Sequence, residues 1–141
     1  MTSPEARTVR LEIASRIELL DTVQVTLSHL AGLAGFDEDA SHYMSVAVRE
    51  CVVNAIKHGN KLDAARRVAI EFVIQDRSLE IHVEDHGAGF DPKQVPDPVA
   101  EENLLKAYGR GIFFMRSFMD EVRFAFPPNG GTRVTMVKRV A

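Results

Sequence analysis

The chain has 141 residues, 45% hydrophobic and 26% charged, a length and composition suited to one globular core of ordinary size. A formal net charge of −3 and a pI near 5.9 give no general basic field, which argues against nucleic acid and anionic membrane surfaces and for a protein partner or small ligand. The lone cysteine, Cys51, has no internal disulfide partner, MTSPEARTVRLEI lacks an apolar leader, and no stretch approaches the roughly 20 apolar residues of a membrane helix, so a reducing, cytoplasmic location is expected.

Val9, Leu11 and Ile13 alternate with Arg10 and Glu12, the period of a strand with one buried face, short enough to form a sheet edge. From Ser15 the period lengthens: Ile17, Leu20, Val23, Leu27 and Leu30 recur at three- and four-residue steps, predicting a helix that ends near Gly32 and Gly35. A second helical pattern opens at Asp37, a suitable N-cap, with Glu38 and Asp39 near the positive end of the dipole, and stops near Gly59 and Asn60. Within it lies RECVVNAIKHGN, Arg49 to Asn60. Glu50, Asn54 and His58 stand four residues apart and share one stripe, while Val48, Cys51, Val52, Ala55 and Ile56 supply the apolar remainder. Taken alone, that stripe reads first as the solvated face of an amphipathic helix, and Cys51 as a buried thiol.

Val68, Ile70, Phe72 and Ile74 alternate through a strand, Asp76-Arg77-Ser78 turns, and Leu79, Ile81 and Val83 alternate through its hairpin partner. The same parity carries Asp85 onto the buried face, where a carboxylate needs a partner. It opens DHGAGFDP, whose Gly87 and Gly89 permit close backbone approach. Residues 91–108 hold Pro92, Pro96 and Pro98 and little sustained period, although PVAEENLLKAY has room for a short helix; such a segment is a lid, a binding loop or disordered. Gly109-Arg110-Gly111 leads into IFFMRSFMDEV, where Ile112, Met115, Phe118 and Met119 form one apolar helical face and the free N–H groups of the helix start suit phosphate. Val122, Phe124 and Phe126, then a turn at PPNGG, then Thr132, Val134 and Met136 read as a second hairpin. With no repeat and no low-complexity tract, residues 1–141 are expected to form a single domain.

None of these features is specific alone; their order is. ECVVNAIKH resembles the N-box of the GHKL ATPase superfamily, EDHGAGFDP its first glycine box, GRGIFFMRSFMDEV its second and GGTRV its closing strand, so the resemblance runs from Val9 to Arg139. The MDEV ending is similar to the anti-sigma factor serine kinases of the RsbW and SpoIIAB type. The resemblance implies an α+β Bergerat sandwich: a mixed, mainly antiparallel sheet covered on one face by helices, with ATP between the layers under a lid at about 91–108.

Carried onto matching positions, the resemblance gives Asp85 the adenine amino group, which an acceptor-only carboxylate can receive. Gly87 and Gly89 then let backbone approach base and sugar. Gly109 and Gly111 wrap the phosphates, Ile112 belongs to the same nucleotide-binding turn, and Arg110 either contacts phosphate or points outward. Thr132 offers its hydroxyl near the adenine or is a plain strand threonine. Asn54 is the implied Mg²⁺ ligand, a single protein ligand being enough for an ion that keeps waters and phosphate oxygens. Glu50, one turn earlier, is the implied general base. Lys57 and His58 lie near the phosphate end of the stripe, or only stabilise the helix C-terminus. His29, His42, His82 and His86 have no metal-like spacing.

The function implied is an ATP- and Mg²⁺-dependent protein-serine kinase that phosphorylates a STAS-type anti-sigma-factor antagonist, sequesters a sigma factor and forms a homodimer. Two alternatives remain open: a nucleotide-gated binding module without phosphoryl transfer, and a STAS-directed kinase that holds no sigma factor. Two positions depart from the family pattern. No arginine stands around Leu19, Leu20, Asp21 and Thr22, Arg16 being nearest, and Tyr108 is bulkier than the small residues often found before the second glycine box. No helical pair with a phosphoacceptor histidine precedes the ATPase-like region, which argues against a sensor histidine kinase.

Overall fold

The computed structural model of the chain describes residues 7–87, 102, 109, 111–128 and 130–141. In chain order they form β1 (Arg7–Ala14), a turn of 3₁₀ helix (Ile17–Leu19), α1 (Leu20–Ala34), α2 (Glu38–Asn54), a π-helical turn (Ala55–Gly59), β2 (Arg67–Gln75), β3 (Ser78–Glu84), α3 (Gly111–Phe118), β4 (Glu121–Ala125) and β5 (Arg133–Arg139). The strands make one sheet in the order β1-β2-β3-β5-β4, and each described pairing is antiparallel. β1 is an edge strand, as its short alternating pattern predicts.

Period-two alternation decides which face is covered. Val68, Ile70, Phe72 and Ile74 of β2 and Leu79, Ile81 and Val83 of β3 are buried together on the helix side. The intervening Glu71, Glu80, His82 and Glu84 lie on the other face, where Arg10–Glu71, Arg123–Glu80 and Arg133–Glu84 ion pairs run between strands. Half-exposed pairs of this kind contribute at most about 1 kcal/mol each, so they keep the face polar more than they hold it together. The β2–β3 register is set by the two-residue turn Asp76-Arg77, whose φ values of 49° and 61° are the left-handed pair of a type I′ turn.

The helices supply the second layer. α1 buries Leu20, Val23, Leu27, Leu30, Ala31 and Ala34 and rests on β2 and β3; Gly32 lies inside it and Gly35, at φ 101°, ends it. α2 starts as its sequence indicates, with Asp37 accepting the Ala40 N–H at 2.8 Å, and buries Met44, Ala47, Val48, Cys51 and Val52 against α1 and α3. Burial, together with the nearby Asp85 carboxylate, pushes the Cys51 thiol far above its ordinary pKa, so it stays neutral and packs as a small apolar group. The result is the two-layer α+β sandwich expected from the sequence, with helices on one face of the sheet. Among the described residues, no helix is long and apolar enough to cross a membrane.

Candidate functional site

Asp85 continues the inward parity of β3 and is 7% exposed. Its N–H donates to the Thr132 carbonyl at 3.0 Å, and its Oδ1 accepts the Gly87 N–H at 3.0 Å and the Thr132 N–H at 3.2 Å. Both described bonds to the carboxylate therefore land on one oxygen, leaving the lone pairs of Oδ2 for a further donor. Burial raises the Asp85 pKa, and the Gly87 and Thr132 N–H groups pull it back toward ionisation. The resemblance implies the Thr132 hydroxyl here; the described bonds to Asp85 come from the Thr132 backbone N–H and carbonyl.

Three glycines make that seat possible. A Cβ on Gly59 would fall within 3.0 Å of the Asp85 carboxylate, one on Gly87 within 3.0 Å of the Gly59 carbonyl, and one on Gly131 within 3.0 Å of the Asp85 carbonyl. Only Gly131, at φ 85°, also has a left-handed backbone. Gly59 and Gly87 are required for space. Gly87 was legible from its motif. In the sequence Gly59 reads as a helix stop and Gly131 as a turn residue, because nothing in the local pattern reveals what crosses them.

At the other end, α2 remains α-helical through Asn54, so Glu50 and Asn54 stack one turn apart as predicted. Gly111, the first residue of α3, lies directly over them: a Cβ there would sit 3.1 Å from Asn54 Nδ2 and 3.2 Å from Glu50 Oε2. After Asn54 the helix widens into the π turn, and the Asn60 N–H reaches back five residues to the Ala55 carbonyl at 2.8 Å. That changes the angular phase of Lys57 and His58, both of which are exposed on the turn. Ile112 is wholly buried in the core, so only its backbone N–H faces the helix start. Gly109 is exposed with φ 56°. Gly89, Arg110 and, apart from Glu102, the 91–108 lid fall outside the described residues.

The donor chemistry fits a nucleotide with a magnesium ion. Asn54 is 8% exposed, and its Nδ2 has no hydrogen-bond partner among the described residues. A buried donor left unpaired costs about 1–3 kcal/mol, which an anionic ligand would relieve. Rotation of the same amide about its terminal torsion offers the oxygen instead. Among the described residues no three His, Cys, Asp or Glu side chains gather around a metal position. A lone amide oxygen suits Mg²⁺, which completes its shell with water and phosphate oxygens.

A further buried polar residue lies beside the Asp85 turn. Asn60, 0% exposed, accepts the His86 N–H at 2.9 Å and donates to Ser15 Oγ at 2.9 Å and the Arg67 carbonyl at 3.1 Å. In the sequence it is an ordinary helix-ending asparagine.

Comparison with known proteins agrees with this geometry. The histidine kinase-like ATPase domain family matches residues 13–138. The serine-protein kinase RsbW of Listeria monocytogenes is 29% identical over 138 residues, covering 94% of this chain and 87% of that protein. The serine-protein kinase RsbW of Bacillus subtilis is 29% identical over 136 residues, covering 92% and 84%. In fold, the chain is similar to the crystal structure of the RsbU and RsbW domains of Rv1364c from Mycobacterium tuberculosis, with a TM-score of 0.66 and 18% identity; the match covers 94% of this chain and 32% of that longer one. With its family match spanning both ends of the site, the chain belongs to the histidine kinase-like ATPase domain family.

Proposed function

We propose that the chain is an ATP- and Mg²⁺-dependent protein-serine kinase that phosphorylates a STAS-type anti-sigma-factor antagonist and holds a sigma factor. The observation that carries this reading is the placement of Gly111 against Glu50 and Asn54, because it puts a helix N-terminus, a carboxylate and an orphaned amide at one spot. The names of the Listeria and Bacillus relatives support the choice of serine as acceptor.

The adenine amine donates to Asp85 Oδ2, while the α3 N–H groups donate to phosphate oxygens beside Gly111. Asn54 would hold the ion through its amide oxygen, and the ion would supply positive charge to offset that building on the transferred phosphoryl group. Glu50 accepts the proton of the substrate serine hydroxyl as its oxygen bonds to the γ-phosphorus and the bond to ADP breaks.

Incubation with γ-labelled ATP, Mg²⁺ and a STAS-domain protein tests the reading. Phosphoserine is expected on the STAS protein, and Glu50→Gln should slow its formation by about 10²- to 10⁴-fold while ATP affinity stays within a few-fold. Nucleotide binding with no phosphoserine, and no effect of Glu50→Gln, would instead identify a nucleotide-gated binding module.

A further inference from the structure

Asp85 comes directly after the last residue of β3, and the β3 ladder does not fix the peptide that follows it. Asn60 does. Its Oδ1 accepts the N–H of His86, the residue between Asp85 and Gly87, at 2.9 Å. Its Nδ2 spends one proton on Ser15 Oγ at 2.9 Å and the other on the Arg67 carbonyl at 3.1 Å, and Ser15 Oγ passes on to the Arg66 carbonyl at 2.6 Å. Every hydrogen-bonding direction of the amide except one lone pair is used, and only one orientation fits, because a backbone donor faces Oδ1 and two oxygens face Nδ2. The neighbouring Gly59 passes so close that a Cβ on it would collide with the Asp85 carboxylate, and its carbonyl lies where a Cβ on Gly87 would fall. The end of α2, the end of β1 and the start of β2 thus converge on the turn that aims Asp85.

We propose that Asn60 is a positioning residue that fixes the Asp85–Gly87 turn and so sets the site's preference for a purine bearing an exocyclic amine over one bearing a carbonyl. This rests on the reading of Asp85 as the acceptor of the base amine. Aspartate at position 60 has no donors for Ser15 and Arg67, glutamine is one methylene too long for a fully buried slot, and leucine leaves the His86 N–H unpaired in the interior. Leucine and glutamine release the peptide on which the carboxylate is mounted, and aspartate still accepts its N–H but is itself no longer tied to Ser15 and Arg67.

The test is titration of the Mg²⁺-loaded full chain with ATP and with ITP, which differ at the base amine. Wild type should favour ATP by at least about 10-fold, the worth of one well-placed bond to a charged acceptor. Asp85→Asn should erase or reverse the preference, since an amide can donate to the ITP carbonyl. Asn60→Ser should lower the ATP:ITP ratio by at least about fivefold, with ITP affinity within about twofold of wild type. A purely structural role would weaken both nucleotides alike and leave the ratio unchanged, which would overturn the proposal. If thermal melts show Asn60→Ser unfolded, Ser15→Ala decides: it removes the bonds of Ser15 Oγ to Asn60 and to the Arg66 carbonyl while leaving those of Asn60 to His86 and Arg67, and a ratio reduced about threefold supports the role while an unchanged one overturns it. Retention of the wild-type preference by Asp85→Asn would instead remove the base-acceptor reading itself.

Discussion

At Gly59, Gly87 and Gly111 the absent side chain serves distance and not dihedral freedom, since none of the three has a positive φ. The three are not equally exacting. A Cβ on Gly87 meets backbone, the Gly59 carbonyl, which can move only if the end of α2 moves with it. A Cβ on Gly111 meets the outer atoms of Asn54 and Glu50, which can swing aside. Gly87→Ala should therefore cost about 3 kcal/mol of stability, whereas Gly111→Ala should stay within about 1 kcal/mol of wild type and lose phosphoryl transfer. Denaturant melts beside a kinase assay check the pair; equal destabilisation by both would contradict this account. Residue by residue, legibility followed the range of the cause. Asp85 was readable because strand parity is local, as was the Asp37 cap. Asn60 was not, because its partner His86 lies 26 residues away and its partner Ser15 lies 45 residues away.

Among the elements, the boundary between helix and sheet is where local pattern and tertiary structure disagree. The apolar period of α2 runs on past Asn54, so no sequence signal marks the onset of the π turn; it is imposed by Asn60 reaching both the Ala55 carbonyl and the His86 N–H. The α3–β4 junction is tied differently. The Asp120 N–H donates to the Val137 carbonyl at 2.8 Å, and its carboxylate accepts the Arg139 N–H at 2.7 Å with Lys138 Nζ at 3.4 Å, so the turn after α3 is bound to β5. The Arg139 N–H, aided by the Lys138 charge, holds the Asp120 carboxyl below the ordinary aspartate pKa. A lowered folded pKa stabilises the fold above the unfolded value and loses that contribution as pH falls through the folded one. Asp120→Ala should therefore lower the melting temperature at pH 7, and the gap from wild type should close as pH drops below about 4. Melting curves across that range measure it; a gap that widens on acidification would exclude the carboxylate as its source.

For the molecule as a whole, the sandwich was legible because its two layers follow from two periods, with helical spacing in Leu20 to Leu30 and Met44 to Val52 and alternation in Val68 to Val83. Strand order was not, since no periodicity states that β3 lies between β2 and β5. The β1–β2 pairing has a kinetic consequence. β2–β3 closes through two residues and can zip early, but β1 joins β2 only after α1 and α2 are threaded between them, and the Ser15–Arg66 bond that marks the junction spans 51 residues of sequence. Docking of the first strand is thus the late event. Leu11→Ala, which trims a partly buried contact on β1, should accelerate unfolding about 10-fold or more and leave the refolding rate within about twofold. Stopped-flow chevrons would reveal a refolding arm slowed in proportion if β1 instead belonged to the nucleus. A chain built this way completes the support of the Asp85 turn last, because the strand that arrives last brings Ser15 to Asn60.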